Sequence, residues 1–69
     1  MNQKFFEYDA VRSIRSLSED VPSGTSGAVL MVFVSDHPQY EVEFVDSAGE
    51  SLAVLPVKEE DLELLQRGQ

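Results

Sequence analysis

Residues 40–65, YEVEFVDSAGESLAVLPVKEEDLELL, decide the fold of this chain. Two apolar segments flank the turn sequence DSAGE, which is the pattern of a β-hairpin with Gly49 in the left-handed conformation. Pro56 cannot donate to a strand ladder, so the second strand is expected at a sheet edge or to end there. The acidic run that follows predicts either one helical turn closed by Gly68 or a 3-10 turn that feeds a last short strand.

The first strand of this hairpin alternates strictly between apolar and acidic residues. Successive side chains of a strand point to opposite faces, so Tyr40, Val42 and Phe44 are predicted to fill the core. The same alternation predicts that Glu41 and Glu43 face water.

Two further strands are predicted upstream. Residues 28–34, AVLMVFV, are apolar at every position, which predicts a central strand that is covered on both faces or bent around a barrel. Residues 10–14 contain β-branched side chains and predict a shorter strand. Between them lies the loop SEDVPSGTSG, in which Gly27 is expected to allow a sharp turn or a close strand approach. This loop is a poor phosphate cradle because a strand follows it and no lysine is near.

These elements predict an all-β domain. The expected fold is a small SH3-like barrel of four to five short antiparallel strands, with a single 3-10 or helical turn near the C-terminus. A five-stranded open sheet is the alternative. The 69 residues allow one domain, 1–69, with an extended lead-in at 1–8 and a tail at 66–69. The chain has no cysteine, so its stability must come from apolar packing.

The charge distribution restricts the partners. The chain carries 13 acidic and 5 basic residues, and no lysine or arginine occurs between residues 16 and 57. Binding a phosphate backbone requires clustered cations, so nucleic acid is excluded as a partner and a basic protein is expected instead. The alternative is that the charge only keeps a small domain soluble.

The hydropathy pattern argues against a membrane protein. The longest apolar run has seven residues, far below the roughly 20 that span a bilayer. The first ten residues lack the pattern of a signal peptide, so a cytoplasmic location is expected.

Three segments resemble a family of very short bacterial proteins that share a domain of unknown function. Residues 24–29 follow the pattern G-T-x-G-x-V, residues 40–49 follow Y-E-V-E-F-x-D-x-x-G, and Asp61-Leu62 is similar to the closing D-L turn of the family. The resemblance covers roughly residues 8–65, although Ala28 stands where members often have threonine or valine. It implies an SH3-like barrel without enzyme activity or catalytic residues. Members are often encoded beside a small toxin-like protein, which implies an antitoxin or immunity role.

The residues give no support to catalysis, cofactor binding or a metal site. His37 is the only histidine and is expected to be an exposed turn residue. Glu41 and Glu43 are about 7 Å apart along one strand face, but an outward face offers no apolar pocket to raise a carboxyl pKa. The acidic residues between 59 and 63 lack the staggered ligands and glycine turn of a calcium loop.

The N-terminal aromatic residues have two interpretations. Phe5, Phe6 and Tyr8 either cap the open end of the barrel or form an exposed anchor for a partner.

We therefore predict a non-enzymatic, acidic protein-binding module that masks a basic partner, as an antitoxin or immunity protein does. The predicted partner-binding residues are Glu41, Glu43, Asp46, Glu50, Glu59, Glu60 and Asp61. The alternative is an accessory domain that docks on an enzyme subunit through apolar contacts. Self-association is left open by the sequence.

Overall fold

Five antiparallel strands and one 3-10 turn form the described part of the chain, residues 3–68 of a computed structural model. The parts of the predicted lead-in and tail that fall on residues 1, 2 and 69 lie outside the described residues. No helix among residues 3–68 is long and apolar enough to cross a membrane. The elements are β1 Ala10–Ser13, β2 Ser26–Phe33, β3 Gln39–Val45, β4 Ser51–Lys58, η1 Glu59–Asp61 and β5 Leu62–Gln66.

The strands form one sheet in the order β4-β3-β2-β1-β5, and every neighbouring pair is antiparallel. The first and last strands therefore pair with each other. β2 lies between this pair and the hairpin β3–β4. This confirms the predicted all-β class of short antiparallel strands. It also confirms the 3-10 alternative for the acidic run, because η1 leads directly into β5.

The alternation in β3 builds the core as predicted. Tyr40, Val42 and Phe44 are fully buried, whereas Glu41 and Glu43 lie on the opposite face and are half-buried. Burying an aliphatic or aromatic side chain contributes about 1.5–3 kcal/mol, so these three residues are a large part of the stability of a small domain. Their buried apolar neighbours are Phe5, Val11, Val21, Val29, Val57 and Leu62.

Strand β2 corrects one of the two expectations for the apolar run. The pairing with β3 shifts register between Val29 and Met31, so Leu30 is an extra residue and forms a bulge. Because of this bulge Val29 and Val32, three positions apart, both pack in or against the core. Leu30 and Met31 remain exposed. The expectation that both faces are covered is therefore wrong, and the bent strand is the correct alternative.

Glycines and an aspartate shape the turns. Gly49 has a φ of +82°, as predicted, and the Asp46 carboxylate Oδ1 accepts 2.9 Å hydrogen bonds from the N–H groups of Ala48 and Glu50. Gly24 has a φ of +89° in the loop before β2. Gly24 and Gly49 thus occupy positions where a side chain would strain the backbone.

Gly27 allows β3 to approach β2 closely, as predicted. A Cβ atom at this position would lie 2.6 Å from the carbonyl oxygen of Glu43 and 2.8 Å from a methyl carbon of Val42. Both neighbours belong to the central strand, so neither can move without disturbing the core.

We predict that Gly27→Ala lowers the free energy of unfolding by about 1–3 kcal/mol, because the added methyl overpacks a site between two paired strands. Urea unfolding followed by circular dichroism measures the change. The adjacent exposed residue supplies a control, since Ser26→Ala is expected to stay within about 0.5 kcal/mol of the native protein. Equal stability of the Gly27→Ala protein and the control would contradict the close approach of β3.

Candidate functional site

The side of the β2–β3–β4 sheet that faces away from the core is here called the outer face. The strand register places Glu41 between Met31 and Pro56, and Glu43 between Ala28 and Val54. Both carboxylates therefore lie in the middle strand with apolar residues on either side. The outer face consists of Ala28, Leu30, Met31, Phe33, Gln39, Glu41, Glu43, Val45, Leu52, Val54, Pro56 and Lys58.

Much of the apolar surface on the outer face is open to solvent. Met31 is 48% exposed, Phe33 42% and Val54 46%, and Leu30 and Leu52 are exposed as well. Single exposed apolar residues are common on protein surfaces, but here several of them lie on adjacent strands of one face. The apolar neighbours also explain why Glu41 and Glu43 are only half exposed on a face that points to solvent.

Neither Glu41 nor Glu43 takes part in an ion pair among residues 3–68. The arginines of the chain are used elsewhere, each within 3 Å of another carboxylate. Arg12 pairs with Glu63 at 2.6 Å, Arg15 with Asp61 at 2.9 Å and Arg67 with Asp9 at 2.5 Å. Lys58 lies on the outer face two positions along β4 from Pro56, but among residues 3–68 it forms no ion pair with Glu41 or Glu43.

The other predicted partner-binding residues are placed differently. Glu50 and Glu60 are exposed, at the β3–β4 hairpin and in η1. Asp46 is exposed too, but one of its carboxylate oxygens is used by the hairpin turn. The structure therefore separates the seven predicted residues instead of joining them in one cluster.

Asp61 lies inside the fold. It is only 9% exposed, its carbonyl accepts a 2.9 Å hydrogen bond from Ile14 N–H, and the Nε of Arg15 is 2.9 Å from its Oδ1. That approach brings opposite charges together without the alignment of a hydrogen bond, because Oδ1 has no hydrogen-bond partner. The family-like D-L turn thus fixes η1 against the end of β1.

Glu59 is bound by the N-terminal segment. The Tyr40 hydroxyl donates a short hydrogen bond to Glu59 Oε2, and the Lys4 N–H donates to the same oxygen at 3.0 Å. Burial favours the neutral form of this carboxyl, but the two hydrogen bonds outweigh that effect and lower the pKa of Glu59. Burial and the bond to Glu59 raise the pKa of Tyr40. Glu59 therefore ties the N-terminal segment to the core.

Asp9 is a structural carboxylate that sequence reasoning missed. It is 1% exposed and accepts 2.9 Å hydrogen bonds from the N–H groups of Phe6 and Gly68, in addition to the ion pair with Arg67. Burial favours its neutral form, but these two backbone bonds and the Arg67 charge outweigh burial and lower the pKa of Asp9. This residue joins the two ends of the described chain.

The N-terminal aromatic residues do not act as one group. Phe5 is buried and packs edge-to-face on Tyr40, with 5.2 Å between the ring centroids, so the capping interpretation is correct for Phe5. Capping is wrong for Phe6 and Tyr8, which are exposed. The guanidinium of Arg67 lies 5.3 Å from the centre of the Phe6 ring. Tyr8 has a φ of +70°, a conformation that is costly for a residue with a bulky side chain.

An open cleft of about 340 Å³ lies beside η1. His37 is exposed at its edge, as predicted, and Ser35 makes hydrogen bonds only with the His37 backbone instead of activating the ring. Lys4 and Lys58 also line the cleft, opposite Asp36, Glu59 and Glu60. Within residues 3–68 no three histidine or carboxylate groups lie close enough together to hold a metal ion. The cleft therefore presents mixed charges without a recognisable catalytic arrangement.

We predict that the free energy of unfolding falls as the pH is lowered from 5 toward 2. Carboxyls with a lowered pKa in the folded state stabilise it above the pKa of the unfolded chain and lose this contribution as the pH falls through the folded pKa. Asp9→Asn should lower stability by about 1–2 kcal/mol at pH 7 and reduce the loss between pH 5 and pH 2. Urea titrations at each pH measure both effects.

Glu7→Gln is the matched control, because Glu7 is exposed and the change also removes one negative charge. It should leave the pH dependence of stability close to that of the native protein. If Asp9→Asn and Glu7→Gln gave the same pH profile, the assignment of Asp9 as a stabilising carboxylate would be wrong.

Comparison with known proteins relates this geometry to a family. No curated protein and no solved structure matches the chain. A family model described as a domain of unknown function (DUF4926) matches residues 7–64. The match includes the glycine loop before β2, the whole β3–β4 hairpin and η1, so it spans the outer face and most of the core. The chain therefore belongs to this family, the domain of unknown function DUF4926.

Proposed function

We propose that this protein is a non-enzymatic binding module whose outer face contacts a basic region of another protein. One observation carries the proposal. Glu41 and Glu43 lie half-buried among exposed apolar side chains, and no ion pair within residues 3–68 neutralises them.

The energetics favour a partner that is basic at its centre and apolar around it. Neighbouring apolar residues already remove part of the water around Glu41 and Glu43, so pairing them with a cation loses less hydration than pairing two fully solvated ions. Contact would also bury the exposed side chains of Met31, Phe33 and Val54. A surface that combines apolar and charged side chains in this way is typical of protein interfaces. The negative potential of the outer face would speed association with a basic partner and disfavour acidic partners.

Arginine fits the outer face better than lysine. Its planar guanidinium stacks on apolar and aromatic side chains and forms two parallel hydrogen bonds to one carboxylate. The two glutamates are about 7 Å apart along β3, so each can bind a separate cation of the partner. Asp46 and Glu50 extend the negative charge toward the hairpin. We assign Glu59 and Asp61 to holding the fold, because their carboxylates are bound inside the protein.

The more specific form of the proposal is an antitoxin or immunity protein that covers the cationic groove of a small toxin. Its support is the resemblance to short bacterial proteins encoded beside toxin-like neighbours, together with the net charge of −8. A protein of this kind has to cover its partner and performs no chemistry on it.

A second candidate is an accessory domain that docks through apolar contacts at its N-terminal end. The exposed rings of Phe6 and Tyr8 favour it, and the strained backbone of Tyr8 holds one of these rings in solvent. Phe5 cannot contribute to such a contact because it belongs to the core.

We predict that Glu41→Gln/Glu43→Gln weakens binding to the partner roughly a hundredfold, or about 2.7 kcal/mol. The partner is first captured from a lysate of the source cells at low salt and identified by mass spectrometry. Its affinity is then measured by titration calorimetry at several salt concentrations, and the native affinity should fall as salt rises. Met31→Ser should weaken binding without changing the salt dependence.

Glu19→Gln/Asp20→Asn is the control, because both residues are exposed and belong neither to the outer face nor to the N-terminal aromatic segment. It removes the same two charges and should change the affinity only slightly. If both double variants lost affinity equally, net charge and not the outer face would explain binding. If the affinity does not change with salt concentration and is lost in the Phe6→Ala variant, the accessory domain that docks at its N-terminal end would be favoured.

A further inference from the structure

We propose that the free edge of β5 pairs with β5 of a second copy of this chain, so that the protein works as a two-fold dimer. β5 is the last strand in the sheet order and pairs only with β1 among the described residues. Four of its five residues, all except Leu62, are exposed. One row of its backbone N–H and C=O groups is therefore open to another strand.

The two edges of the sheet differ in how they resist such pairing. β4 carries Pro56, which removes a backbone donor, and Lys58, a charge that discourages edge contact. β5 has the sequence LELLQ and contains neither proline nor lysine. Its own protections are a bulge at Leu65, which increases the twist, and the charge of Glu63, which is paired with Arg12; neither removes a backbone donor. β5 is therefore the less protected of the two edges, because all of its backbone donors remain.

Local charge also directs a second copy to this edge. The chain as a whole carries −8, so two copies repel each other. Near β5 the charges cancel, because all three arginines of the protein are there and each is paired with a carboxylate. On the outer face, by contrast, two copies would bring Glu41 and Glu43 against their equivalents. Self-association at β5 thus avoids the repulsion that opposes it elsewhere.

The strand sequence suits antiparallel pairing with itself. A two-fold axis at Leu65 places the exposed Leu65 side chains of the two copies opposite each other on one face of the joined sheet. In this register the two Glu63 side chains are not directly opposite, and each keeps its 2.6 Å contact with Arg12. The contact is isologous, so it closes after two copies and does not form a filament.

The dimer would leave both outer faces free, because they are formed by β2, β3 and β4. Two copies joined at β5 therefore present two acidic outer faces at a fixed distance and orientation. A partner with two basic sites could be bound more tightly than by one copy. The dimer itself does not depend on the function proposed for the outer face.

Sedimentation equilibrium over a concentration series tests the proposal. The purified chain should approach twice its 7.7 kDa mass as its concentration rises. Amide hydrogen exchange in β5 should slow over the same range, because pairing protects N–H groups that face solvent in one copy. If the mass stays at that of one chain up to the solubility limit, the proposal is wrong.

Two matched variants locate the contact. Leu65→Lys places a charge on β5 at a residue that is 45% exposed, and it should return the protein to the mass of one chain. Val54→Lys makes the same change on the outer face, at a residue that is 46% exposed, and should leave the dimer intact while it weakens partner binding. Circular dichroism confirms that each variant is folded. A dimer that survives Leu65→Lys with unchanged exchange in β5, or one that is lost in Val54→Lys, would contradict the β5 contact.

Discussion

Packing of β3 between β2 and β4 is the constraint on which the rest of this structure depends. Its three inward residues are fully buried, and the two strands beside it supply Val29 and Val57 to the same core. A strand has only two faces, so burial of Tyr40, Val42 and Phe44 forces Glu41 and Glu43 to the other side. A slip of one residue would place two carboxylates in an apolar core, which makes the register strongly specified. The position of both glutamates on the outer face therefore follows from the core.

Much of this arrangement could be read from the sequence because its cause is local. Strict alternation gave the correct orientation for all five residues 40–44, and Pro56 correctly indicated an edge. The bulge at Leu30 could not be predicted from the sequence, because every residue around it is apolar and fits either face of the strand. Asp61 and Glu60 are neighbours of the same type, yet only Asp61 is buried. What separates them is Arg15, an ion-pair partner from a distant part of the chain that no local pattern identifies.

Two carboxylates show how a domain without cysteines closes its ends. Asp9 accepts hydrogen bonds from Phe6 and Gly68 and pairs with Arg67, whereas Glu59 binds Lys4 and Tyr40. The bond from Lys4 to Glu59 and the bond from Gly68 to Asp9 link residues that are 55 and 59 positions apart, as a disulfide does in many small secreted domains. They also remove two acidic groups from the exposed surface. The composition therefore overstates how much of the negative charge is free to meet a partner.

The account is tested most directly by the methyl signal of Met31 in the complex with the captured partner. Met31 lies beside Glu41 on the outer face, and the chain contains only one other methionine, so carbon-13 methyl labelling gives two signals that Met31→Leu assigns. If the outer face is the contact surface, the Met31 signal shifts or broadens in proportion to the bound fraction. A partner that binds fully while the Met31 signal stays at its free position would contradict the account.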